Sequence, residues 1–210
     1  MMTEGVGDVA PRPVKIVLPD YALQALLVEA ASRAEYRQYR KQKDEWSQGL
    51  QGDVVIHNVG ALRRDVRPIF VGMIGEYAVC EFINSREPSA RVSVDLLQKV
   101  RGDFGVDVAA FGIQMQVKTR QTAEHGNLIR IIDEHGNRKS LNAKAFVFCQ
   151  WSGDKVCELL GWAWTKDIRD LRPQDAVRGK HQNIVVADWR LICMDRLAEM
   201  LKAKKELSSC

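Results

Sequence analysis

Apolar positions recur along this chain at two spacings, and the change from one to the other divides it. Leu23, Leu26, Leu27, Ala30 and Ala34 follow the three- and four-residue spacing of one helical face, with Asp20, just after Pro19, in place to cap it. A second helical run, Ile69, Phe70, Met73, Ile74, Tyr77, Ala78, Phe82 and Ile83, is apolar over a wide arc. It predicts a mostly buried helix with Pro68 in its first turn. Beyond it the period falls to two. Strands are predicted at 91–94, 106–110 and 113–119, and a hairpin over 128–133 turning near His135-Gly136-Asn137. A further hairpin joins 145–151 to 156–164 through Ser152-Gly153-Asp154. A short strand at 184–187 and a basic amphipathic helix at 195–207 complete the pattern.

Helix, several strands, then helix predicts an α/β chain of the mixed α+β kind. The expected organisation is a flexible lead-in over 1–19, a basic helical arm over 20–60 and a principal domain over 61–207. The start of the lead-in is rich in glycine and proline, and the break at 49–60 holds a short apolar run at 54–56.

With 210 residues, 46% hydrophobic and 28% charged, the chain suits one moderate domain and is not disordered. Lys and Arg number 31 against 27 Asp and Glu, a net +4 that permits a nucleic-acid partner without demanding one. No apolar run approaches the ~18 residues of a membrane span, and 1–13 lacks the order of a secretion signal. An intracellular, cytoplasmic protein is expected. Five cysteines, an odd number without any C-x-x-C, indicate neither a disulfide framework nor a zinc knuckle. Cys80, Cys149, Cys157 and Cys193 read as small core residues and Cys210 as a tail thiol.

The chemistry concentrates in the segment from Gly105 to Lys118. Ile113, Met115 and Val117 alternate with Gln114, Gln116 and Lys118, so one face of that strand is apolar and the other polar. A hairpin centred on Phe111-Gly112 pairs residues whose numbers sum to 223, which sets Asp107 opposite Gln116. Asp107, Gln116 and Lys118 then share a face. A carboxylate and an amide oxygen are hard ligands for Mg²⁺, and an ammonium beside them suits charge developing on a phosphate. Taken singly, Asp107 is a polar residue on a solvated hairpin face and Lys118 a lysine that discourages edge pairing. Their support is the shared face. Glu76 lies on one helical stripe with Gly72, Cys80 and Ile83, whose small bulk at Gly72 would let the helix approach the sheet and aim the carboxylate at the metal. Asp103 reads as a turn residue with a second metal contact as its alternative.

Other chemistries lack support. His57, His125, His135 and His181 are scattered without metal spacing, and neither a G-x-S-x-G elbow nor a Walker loop is present, so no nucleotide cofactor is expected. The basic run from Arg33 to Lys43 is either a solvated helix face or a set of phosphate contacts. Arg63, Arg64, Arg67, Arg86, Arg91, Lys99 and Arg101 surround the candidate site in sequence, and Trp162 and Trp164 read as packing residues.

Asp107 followed by Gln116-Val117-Lys118 resembles the signature of the PD-(D/E)XK nuclease superfamily in its Gln-x-Lys variant. Gly72-Met-Ile-Gly-Glu76 is similar to the family's first core helix, and Gly161-Trp-Ala-Trp164 and Asn183-Ile-Val-Val186 to the back half of its small members. The likeness spans roughly 68–201. Two positions depart from the pattern: Gln116 replaces the usual acid, and Val106 stands where proline is common. The resemblance implies a restriction-endonuclease-like αβββαβ core, a central mixed sheet flanked by helices, here with an N-terminal helical arm. It further implies a Mg²⁺-dependent enzyme, Mn²⁺ substituting, that hydrolyses DNA with metal-activated water, as an endonuclease and as a homodimer or higher homo-oligomer. Asp107 and Gln116 would ligate the metal, the Val117 carbonyl would add a ligand, Glu76 would assist, and Lys118 would serve the attacking water. Arg37, Arg40, Lys41, Arg101, Arg120 and Gln121 are the expected nucleic-acid contacts. The rival expectation is the same fold, weakened at Gln116, binding nucleic acid without cutting it.

Overall fold

Pro13 and Pro19 bracket the alternation Val14-Lys-Ile-Val17. In the computed structural model of the chain, which describes residues 10–42, 64–94, 106–130, 141–171, 174–175 and 182–208, this segment is strand β1 (Val14–Val17). Val14 and Ile16 are half-buried and pack on the core, while Lys15 and Val17 face outward. The lead-in predicted over 1–19 is therefore corrected here, because an edge strand bonds along one side only and tolerates flanking prolines.

Helix α1 (Asp20–Gln42) follows directly. Asp20 is its first residue rather than its cap, and the carboxylate pairs with Lys155 at 2.7 Å. Leu23, Leu26, Leu27, Ala30 and Ala34 are buried in the same core as the rest of the domain. Over this length the predicted arm is a layer of the fold, held by the apolar stripe that the sequence displays. Helix α2 (Val66–Arg86) has Pro68 in its first turn and buries Phe70, Met73, Ile74, Ala78, Phe82 and Ile83.

The main sheet holds β1, β2 (Val108–Ala110), β3 (Ile113–Arg120), β5 (Ala145–Trp151) and β6 (Val156–Trp164) in the order β1-β6-β5-β3-β2. It is mixed, since β3 and β5 run parallel and the other pairs antiparallel. One face carries Met115, Val117, Val147, Cys149 and Leu159 against α1, α2 and α4 (Met194–Ser208). Phe146 and Phe148 point the other way. They meet Ile168 of α3 (Thr165–Arg169) and Ile129 and Ile184 of a small sheet. That sheet is ordered β4-β8-β7, from β4 (Asn127–Arg130), β7 (Gln174–Asp175) and β8 (Gln182–Val186). Covered on both faces, β5 is apolar at nearly every position, as a central strand must be.

The chain is thus mixed α/β with its sheet flanked by helices, the class that the patterning predicts. Three details differ. Residues 91–94 form no strand, because the Asn84 side chain takes the place of a partner: its amide donates to the Val92 carbonyl at 2.7 Å and accepts the Val92 N–H at 3.0 Å. Strand β4 pairs with β8, in the register Leu128↔Val185, a long-range pairing that the periodicity does not predict, and the rest of the hairpin expected over 128–133 lies outside the described residues. Helix α3 and strand β7 are too short to leave a periodic signal. The run at 54–56, the turn at 135–137, and Arg63, Lys99, Arg101, Asp103 and Cys210 lie outside the described residues, as do the side chains of Arg37, Arg40 and Lys41. Among the described residues no helix is long and apolar enough to cross a membrane.

Candidate active site at the end of the central hairpin

The hairpin that carries the site turns on two residues. Phe111 and Gly112 have φ of 45° and 75°, the paired positive values that a two-residue turn needs to match the twist of its strands. The turn fixes the register. Val108↔Met115, Ala109↔Gln114 and Ala110↔Ile113 all sum to 223 as predicted. Regular pairing ends there. The Asp107 N–H donates to the Met115 carbonyl at 2.9 Å, one residue out of that register. Its carboxylate then accepts the backbone N–H of Val117 at 2.6 Å. A side chain thus replaces the ladder where β2 stops.

This contact orients more than Asp107. The N–H and C=O of one strand residue project to the same side, so the Val117 carbonyl points to the edge where the Asp107 carboxylate sits. Gln116 and Lys118 align with Phe146 and Phe148 of β5 and share their face of the sheet; both are half-buried. The hairpin therefore sets the Asp107 carboxylate at the Val117 edge of β3, with Gln116 and Lys118 before and after Val117 and on the face opposite its side chain.

Glu76 arrives from the other side. Helix α2 packs on the Val117 and Thr119 face of β3, closely at Gly75, where an added Cβ would overlap the Thr119 hydroxyl. At Gly72 the space is open. The close approach predicted for Gly72 is corrected to Gly75, one turn along the helix. Glu76 is half-buried beside this contact, and burial together with the Glu76 and Glu81 carboxylates pushes the Cys80 thiol up to about 12.

Arg120, expected as a nucleic-acid contact, has another task. Its guanidinium binds both Asp188 oxygens at 3.1 and 3.2 Å and donates through Nε to Gln150 at 3.0 Å. The side chain is 8% exposed, and Asn127 also donates to Asp188, at 2.6 Å. A buried fork committed in this way ties β3 and β5 to the segment after β8 and has little left for phosphate. Asp188, Asn127 and Gln150 escape sequence reasoning, since no local pattern links residues so far apart in the chain.

A cleft of about 680 Å³ opens where β3 ends, between the start of α2, residues 118–121 and residues 126–128. Lys118 and Gln121 line it, with Arg64, Arg67 and Thr119, and Pro68, Val71 and Leu128 give it an apolar portion. The Arg67 Nε and the Thr119 hydroxyl are buried without a hydrogen-bond partner among the described residues. Lys118 is the residue that the cleft shares with the hairpin site.

As donors, the hairpin offers one carboxylate, one amide oxygen and one backbone carbonyl, and among the described residues no three of His, Cys, Asp or Glu converge. Such hard oxygens fit Mg²⁺, which needs only one or two carboxylates and completes its sphere with water and phosphate oxygens. Compared with protein-family models, curated proteins and solved structures, the chain finds no match in any of the three.

Proposed function

We propose that this protein is a Mg²⁺-dependent nuclease of the PD-(D/E)XK type that hydrolyses DNA phosphodiester bonds. The observation that carries the reading is the Asp107 carboxylate, held at 2.6 Å from the Val117 N–H at the edge that the Val117 carbonyl also faces, with Gln116 and Lys118 on either side. In this reading α2, β2, β3 and β5 belong to a restriction-endonuclease-like core. The five-residue α3 is a short version of the second core helix.

Asp107, Gln116 and the Val117 carbonyl would hold the ion, Mn²⁺ replacing Mg²⁺, and Glu76 would assist through water. When bound, the ion polarises a phosphate and acidifies a water. Lys118, on the face of Gln116, stabilises charge on the non-bridging oxygens and orients the attacking water. A homo-oligomer would supply a second site where the target is duplex.

A second reading, binding without cleavage, draws on two observations: Gln116 lacks the usual negative charge, and one Asp107 oxygen already serves a backbone N–H. Incubating supercoiled plasmid with the protein in Mg²⁺ or EDTA separates the two. Cleavage in Mg²⁺ that falls by about a hundredfold or more in Lys118→Ala and Asp107→Asn supports the nuclease. Cleavage that survives both substitutions removes this mechanism. No cleavage, with binding that weakens steeply in salt, favours the second reading.

A further inference from the structure

We infer that the cleft beside Lys118 holds a single DNA strand, with a phosphate on Arg67 and Arg64 and a base against Pro68, Val71 and Leu128. This deepens the nuclease reading, on which it rests for the identity of the ligand, by naming the form of DNA that meets the site.

Three observations converge on it. First, the lining is divided as a nucleotide is. Arg64, Arg67 and Lys118 supply positive charge, Arg120 lines it with its guanidinium held by Asp188, no carboxylate is among the lining residues, and Pro68, Val71 and Leu128 supply an apolar wall. Leu128 is 42% exposed.

Second, unmet hydrogen-bonding capacity collects there. The buried side-chain polar atoms without a partner among the described residues are the Arg67 Nε and the Thr119 hydroxyl, and both residues line this cleft. Both groups can donate, and an unpaired buried donor is costly; the Thr119 hydroxyl lies against Gly75 of α2, so Arg67 is the group that an acceptor in the cleft would meet. Arg67 also sits in the first turn of α2, two residues after the N-cap Asp65, where a cation opposes the helix dipole. An anion offsets both costs.

Third, size selects the strand. About 680 Å³ falls within the ~300–1,000 Å³ range of pockets that enclose one small molecule. One or two nucleotides match that volume, whereas a double helix does not enter it. The strand is therefore unpaired where it reaches Lys118, as at an open end or a single-stranded region.

The test is fluorescence anisotropy with the full chain in EDTA, which suppresses cleavage, using a labelled short oligodeoxynucleotide alone and annealed to its complement. Tighter binding of the single strand by about tenfold or more is expected, with a loss of about tenfold in Arg67→Ala and a salt slope shallower by about 0.7. Arg64 is exposed and precedes the helix, so Arg64→Ala gives the same reading, with a smaller loss, should Arg67→Ala fail to fold. Duplex binding equal to or tighter than single-strand binding overturns the proposal, as does undiminished single-strand affinity in folded Arg64→Ala. Adding Mg²⁺ to the same samples keeps the two readings apart. Arginine-dependent strand binding without cleavage leaves the cleft standing and removes the nuclease. Cleavage with arginine-independent binding does the reverse.

Discussion

The Asp107 carboxylate accepts the Val117 N–H at 2.6 Å, at the point where the β2 ladder gives way. That contact gives Asp107 a structural duty alongside the proposed metal-binding one, and two substitutions separate them. Asparagine keeps an oxygen that can accept the bond and loses the charge. Asp107→Asn is expected to unfold within about 1 kcal/mol of the parent while losing Mg²⁺-dependent cleavage. Asp107→Ala, which leaves the Val117 N–H unmet, should lose about 2 kcal/mol as well. Urea unfolding beside plasmid cleavage reads both effects.

Arg120 is predicted to act on stability rather than on DNA. Arg120→Ala removes the fork from Asp188 and Gln150, and with Asp188 44% exposed the cost should stay near 2 kcal/mol. Single-strand affinity, measured under conditions where the variant is folded, should change less than in Arg67→Ala. A larger affinity loss for Arg120→Ala than for Arg67→Ala would return it to the phosphate contacts.

Gly75 and Thr119 mark a close approach of α2 to β3. Gly75→Ala places a methyl onto the Thr119 hydroxyl and within 3.2 Å of Val117 Cγ1. Overpacking of about 2–3 kcal/mol outweighs the helix-propensity gain of about 1 kcal/mol. The Thr119→Ala change removes the obstructing hydroxyl, so the double variant should recover about 1 kcal/mol relative to the sum of the singles. A double-mutant cycle in urea measures this, and strict additivity would count against the contact.

Alkali is expected to weaken the fold. Burial, aided by the Glu76 and Glu81 carboxylates, raises the Cys80 thiol from 9.0 to about 12, and burial against the Cys157 thiol raises Cys149 as well. Both stay protonated in the folded chain while the unfolded chain ionises near the ordinary value. The Cys80 contribution is therefore complete below pH 9 and is lost as pH climbs toward about 12, and that of Cys149 falls in the same direction. The Cys80 thiol adds a slope of about 1.4 kcal/mol per pH unit across that interval. Denaturant unfolding at stepped alkaline pH should show this decline, and Cys80→Ala should flatten it.

Much of the architecture follows from short-range pattern. Gly112 can adopt positive φ without strain, and with Phe111 it makes a two-residue turn that leaves one register available to the alternating residues on either side. That is why the pairing from Val108↔Met115 to Ala110↔Ile113 can be read before any fold is known, whereas Asp107 bonds to Met115, one residue out of the register that would set it opposite Gln116. The apolar stripes of α1 and α2 and the uniform run of β5 are similarly local, because burial selects residue type at a fixed period. Tertiary structure decided the rest. β1 is a strand only because β6 offers its edge, and β4 pairs with β8, more than fifty residues away. Arg120 becomes a strut because Asp188 and Gln150 reach it from distant segments, and α2 meets the sheet at Gly75 because Thr119 lies beneath it. Turns and periods are set by the conformational preferences of adjacent residues. Charge pairing and close packing depend on which distant surfaces come together, and only the assembled chain brings them into contact.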